Sequence, residues 1–164
     1  MALSDSELIQ RLLLAALLGA LLGIEREVKQ KSAGLRTNIL IALGAALFTI
    51  LSIELAPDSG DPTRIAAQVV TGIGFLGAGA IMRTDSGVQG LTTAATVWVN
   101  SAVGVAAGGG QYHLAFSAAG VSLVVLFFVD PLEAAIARRV ASTAKARAAA
   151  KAKDSAKANA STDA

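Results

Sequence analysis

Few residues in this 164-residue chain could do covalent chemistry. It has one histidine and no cysteine, whereas a zinc site needs three or four nitrogen, sulfur or carboxylate ligands, so no metal centre is expected. His113 follows Tyr112 and the run Gly108-Gly109-Gly110 and reads as an interfacial residue. No serine stands in a nucleophile elbow, and no pair of acids lies in an apolar setting. Nothing in these residues argues for an enzyme, a cofactor or a nucleic-acid partner. Gly72, Gly74 and Gly77 fit G-x-G-x-x-G, but a dinucleotide site needs an acidic residue about 20 positions later. Positions 92 to 100 read Thr-Thr-Ala-Ala-Thr-Val-Trp-Val-Asn, without an acid.

The densest polar cluster is Glu25, Arg26, Glu27, Lys29, Lys31, Arg36 and Thr37. It is either a topology signal in contact with lipid headgroups or a fixed network of Glu25, Arg26 and Arg36 with Arg83 and Asp85. A second set is neutral and sits within apolar runs: Gln68, Thr71, Thr93, Thr96, Asn100 and Ser101. Gln68, Thr96 and Asn100 could mark a polar path. Mg²⁺ sheds water reluctantly and favours carboxylate or phosphate oxygen. An interior free of carboxylates therefore weighs against a dedicated Mg²⁺ pore and leaves a hydrated or carbonyl-lined path open.

The elements that carry these residues are greasy. The chain is 54% apolar and 16% charged, against roughly 45–50% and about 25% in ordinary globular proteins. The apolar residues form five blocks: 8–24, 38–55, 65–82, 91–108 and 113–132. Each approaches the roughly 17–25 residues that a helix needs to cross a bilayer. The expectation is an all-α polytopic bundle of about five transmembrane helices. Asp5 and Glu7 precede the first block, where a cleaved signal would carry positive charge, so that block is read as a retained span.

Twelve of the 14 basic residues fall in the first loop, the third loop or the C-terminal segment. That bias places the N-terminus outside and the C-terminus in the cytoplasm. Arg11, just inside the first block, is read as a snorkelling anchor paired with Glu7 at the i,i+4 spacing.

Small residues recur at helical spacing, which lets membrane helices approach closely. Ala15, Gly19 and Gly23 form one stripe. Asn38, Ala42, Ala45, Thr49 and Ser52 form a second, and Thr92, Thr96, Asn100, Gly104 and Gly108 a third. In the third block Gly72 and Gly79 share one face, with Gly74 and Gly77 nearly opposite. This suits either a helix at the centre of the bundle or a locally broken one.

Three stretches resemble the MgtC/SapB family: Gly23 to Glu27 with Ala33 to Thr37, Arg64 to Ile81, and Gly90 to Ala95 with Trp98. The resemblance covers about residues 8 to 130. It implies a bacterial inner-membrane, multi-pass protein linked to magnesium adaptation and, in pathogens, to virulence and survival inside host cells. It further implies a non-enzymatic regulator that sits in the lipid bilayer and binds other inner-membrane proteins, with a homo-oligomer as a further outcome. The alternative it carries is a cation (Mg²⁺) transporter or channel, with Mg²⁺ as signal or transported ion. By motif position it points to Glu25, Arg26, Arg36, Thr37, Gln68, Gly72, Gly74, Gly77, Gly79, Thr92, Thr93 and Trp98. Asn38 stands where the family often has histidine. Residues 1–132 are read as the transmembrane domain. Residues 133–164 are read as an Ala/Lys-rich cytoplasmic tail, partly helical or disordered, in place of the family's folded C-terminal domain.

Overall fold

The computed structural model describes residues 3–56, 60–85, 87–129, 135, 136, 138–140 and 143. The chain divides into two compact units, residues 1–125 and 126–164. In the second unit every described residue is helical, and Ile136 and Val140 are exposed. Leu132 and most of the tail lie outside the described residues.

Helix α1 runs Asp5–Val28. The Ser4 hydroxyl accepts from Glu7 N at 3.3 Å, and Asp5 and Glu7 in the first turn face the positive end of the helix dipole. Helix α2, Leu35–Glu54, follows a short turn whose exit is fixed by Glu27, which accepts from Leu35 N at 3.0 Å. Helix α3 covers Arg64–Gly79 and α4 covers Leu91–Gly108. Helix α5 covers Tyr112–Val129. Between α3 and α4 an antiparallel hairpin pairs β1, Met82–Thr84, with β2, Gly87–Gln89. The sequence pattern places Met82 in the third apolar block and leaves the rest as loop. Strands of three residues carry too little alternation to read. Gly90 closes the hairpin at φ 87°, with its Cα beside the Ala80 carbonyl, so any side chain there collides with backbone.

Helices α1, α2 and α4 pack against one another, with α2 in the middle. Ala42 shows why. A Cβ built on Gly19 of α1 would lie 2.8 Å from the Ala42 Cβ, and one on Gly104 of α4 would meet the Ala42 backbone. Ala15, Leu18, Ala46, Val103 and Ala107 complete this buried cluster, joined by Ala115 and Ala119 of α5. The three small-residue stripes on α1, α2 and α4 therefore face inward as their spacing predicts, except for Thr92 at the start of α4, which is exposed. Large apolar side chains such as Leu13, Leu17, Leu40, Phe48, Leu114 and Phe116 point outward instead, an arrangement suited to lipid rather than water.

Two expectations for the third block need correcting. Helix α3 is continuous through its glycines, so it is not broken. Nor does it sit at the centre: it leans on α2 and α4, and only Ile73 and Gly77 are buried. Among the described residues, three helices (α1, α2 and α5) are long and apolar enough to cross a membrane. Helix α3 has 16 residues, about 24 Å at 1.5 Å each, which is short of a hydrocarbon core of about 30 Å. In α4 three threonines, Asn100 and Ser101 dilute the apolar character.

Candidate functional site

A polar seam runs along the buried faces of α1, α2 and α4. At the C-terminal end of α1, Arg26 is 1% exposed and Glu25 2%. Arg26 donates from Nη2 to Thr93 Oγ1 of α4 at 3.0 Å, and its Nη1 lies 3.7 Å from Glu25 Oε2. Lys29 Nζ reaches Glu25 Oε1 at 2.7 Å. The cluster thus holds two cations on one carboxylate, with α4 tied in through a hydroxyl. Burial of such charge persists only where the partners are supplied.

One helical turn deeper, Asn38 is fully buried and donates from Nδ2 to the carbonyls of Ala33 at 2.7 Å and Gly34 at 3.0 Å. Asn100, also fully buried, donates to Asn38 O at 2.7 Å and Asn38 Oδ1 at 3.0 Å. This amide pair links α4 to both the start of α2 and the turn before it. Spacing places Asn38 on the inward stripe of α2 but not opposite Asn100, because nothing local couples two residues 62 positions apart. At the opposite end of the bundle, Arg11 pairs with Glu7 at 2.6 Å as its spacing predicts. It also donates to Gly108 O at 2.8 Å, placing a cation at the negative C-terminus of α4. That second contact goes beyond a snorkelling anchor.

The proposed larger network does not assemble among the described residues. Arg36, Arg83 and Asp85 are exposed and do not reach Glu25 or Arg26. Lys29, one turn along the same helix, takes the place that spacing left to Arg36. Gln68 is exposed and lines cavities between α2 and α3 that Thr96 and Asn100 do not reach. The Thr96 hydroxyl turns onto its own helix, donating to Thr92 O at 2.8 Å. Thr92 and Trp98 are exposed. Thr37 lines a cavity of about 450 Å³ with Phe75, Gly79 and Val97.

The glycines divide into two kinds. Gly19, Gly23, Gly104 and Gly108 each face backbone or side-chain atoms too close to admit a Cβ. On α3, Gly72, Gly74 and Gly79 face open space, with nothing within 4 Å of a Cβ position. Gly77 alone on that helix has a neighbour, Ala94, at ordinary contact distance. Beside Gly74, Phe75 is 83% exposed.

Helix α3 is held at its start by Ser52 of α2. The Ser52 hydroxyl donates to Pro62 O at 2.6 Å and accepts from the N–H of Ile65 at 3.1 Å and of Ala66 at 3.3 Å. It serves as an N-terminal cap supplied from another helix. Ser52→Ala should cost about 1–2 kcal/mol of stability, read as a lower midpoint of thermal unfolding. Next to it Asp61 accepts from Thr63 Oγ1 at 2.6 Å and Thr63 N at 2.8 Å. These two bonds, with help from the Arg64 charge, hold its carboxyl below the usual value.

Comparison with known proteins follows the same lines. A family model described as "MgtC family" matches residues 12–135. "Protein MgtC" of Salmonella typhimurium LT2 is 56% identical over 110 residues, covering 67% of this chain and 47% of that protein. A protein of Escherichia coli K12 named "Putative magnesium transporter YhiD" is 46% identical over 128 residues, covering 74% and 60%. "Uncharacterized protein slr0014" of Synechocystis is 48% identical over 127 residues, covering 77% and 54%. The chain therefore spans about half the length of the curated relatives it matches. No solved structure matches it. With the family model laid over the helices that build the polar seam and the open α3 face, the chain belongs to the MgtC family.

Proposed function

We propose that this chain is a non-enzymatic module of the bacterial inner membrane that binds and modulates other membrane proteins during adaptation to low magnesium. It crosses the membrane about five times, with its N-terminus outside. The observation that carries this reading is the contrast between the two kinds of glycine. Helices associate in lipid where small residues let backbones approach. In α1 and α4 that approach is satisfied within the chain. In α3 the same residue type faces open space at Gly74, beside the exposed Phe75, and a second protein's helix can use it. The magnesium link is supported by the name of one relative, "Putative magnesium transporter YhiD".

The test is selective because a Cβ at Gly74 meets no atom within 4 Å. Gly74→Leu is expected to leave the fold and unfolding midpoint intact. It should reduce specific co-purification of inner-membrane proteins by about tenfold, equivalent to about 1.4 kcal/mol. Unchanged co-purification with a folded variant overturns the proposal. So does Mg²⁺ flux by the purified wild-type chain in liposomes.

A further inference from the structure

Between α2 and α3 lies an apolar cavity of about 410 Å³ lined by Leu40, Gly44, Phe48, Gly72 and Leu76, among others. It adjoins a second cavity of about 430 Å³ lined by Ser52, Asp61 and Arg64. Ile65 and Gln68 line both, so the two form one groove with a carbon-lined body and a polar mouth. Gly44 and Gly72 each face open space, with no atom within 4 Å of a Cβ position. Here glycine widens the groove instead of drawing helices together. From Leu40 to Ser52 the groove follows 13 residues of α2, about 18 Å from first to last. Half of a hydrocarbon core is about 15 Å. One leaflet's acyl chain fits that run.

The mouth sets the headgroup. Among the described residues lining it, Arg64 is the cation and Asp61 the carboxylate, and both are exposed. Asp61 is kept ionised by its bonds to Thr63. A purely anionic headgroup would place its charge against Asp61. A phosphate followed by an ammonium matches both residues. The geometry points to a zwitterionic phospholipid site in this groove: an acyl chain passes Gly44 and Gly72, the phosphate sits on Arg64, and the ammonium sits on Asp61. A lipid so placed would fill the gap between α2 and α3 and fix the tilt of the helix that carries the outward glycines.

The experiment reconstitutes the full chain into vesicles that mix phosphatidylethanolamine and phosphatidylglycerol. Either lipid carries a photoreactive diazirine in its acyl chain, and adducts are mapped by mass spectrometry. Phosphatidylethanolamine adducts should concentrate on residues 40–48 and 65–76. Gly44→Leu and Gly72→Leu, whose Cβ positions meet no atom within 4 Å, should each lower them by about fivefold or more. The pair Asp61→Asn and Arg64→Gln should abolish the preference for phosphatidylethanolamine over phosphatidylglycerol. Gly74→Leu lies on nearly the opposite side of α3 and should leave lipid labelling unchanged, so this site and the partner surface fail separately. Three results overturn the proposal: adducts spread evenly over outward residues such as Leu13 and Leu17, groove peptides joined to a second copy of the chain, or no headgroup preference in the wild type.

Discussion

Arg26→Met is expected to destabilise the protein by about 1.5–3 kcal/mol, the range for a lost hydrogen bond from a charged group, because Glu25 keeps a second cation. Two terms set the size. The Thr93 hydroxyl loses a charge-assisted donor, and Glu25, 2% exposed, keeps only Lys29. Lys29 lies closer to Glu25 than Arg26 does, 2.7 Å against 3.7 Å. The carboxylate is therefore not stranded, and the loss of the bond to α4 accounts for much of the effect. Arg26→Lys separates the terms: it keeps a positive charge but not the guanidinium that spans from Glu25 to Thr93. Its expected loss is smaller than that of Arg26→Met. Adding Thr93→Val to Arg26→Met should cost little more, because the bond is already gone. The measurement is chemical denaturation in detergent micelles. A loss below about 1 kcal/mol for Arg26→Met would show that the cluster is a surface-like pair of little consequence.

How far these contacts could be read from the sequence depends on their range. The i,i+4 pair of Arg11 and Glu7 is a property of one helix, and spacing alone finds it. The inward stripes of α1, α2 and α4 are equally local, since Ala15, Gly19 and Gly23 must share a face. What spacing does not contain is which face meets which neighbour. The glycines of α3 have the same periodicity as packed ones, yet three of them face open space. The Asn38–Asn100 pair joins α2 to α4 across 62 positions. Lys29 stands at the i,i+4 spacing from Glu25, so that ion pair was legible in the sequence, whereas the position of Arg36 depends on how α2 leaves its turn. The hairpin at residues 82–89 was hidden because six strand residues are too few for a period of two to register.

Gly104→Ala provides the sharpest test of the central packing, since it adds one carbon. Its Cβ would fall on the Ala42 carbonyl, 2.9 Å from the Ala42 Cα and 2.8 Å from the Ala45 Cβ. These are atoms of a helix already gripped from the other side by Gly19 of α1, so α2 cannot retreat without losing that contact. Over-packing usually costs about 1–3 kcal/mol. Because backbone must move here, the expected loss is about 3 kcal/mol, and Gly104→Leu should not accumulate as folded protein. Gly120→Ala in α5 is the matched comparison. Nothing lies within 4 Å of its Cβ position, and replacing glycine by alanine in a helix gains about 1 kcal/mol at most from backbone propensity. The two variants make the same chemical change and differ only in what the new methyl meets. Opposite shifts in the unfolding midpoint place the core at the α1–α2–α4 contact. Equal shifts would mean that helix propensity alone governs both sites, and that the small-residue faces do not hold these helices together.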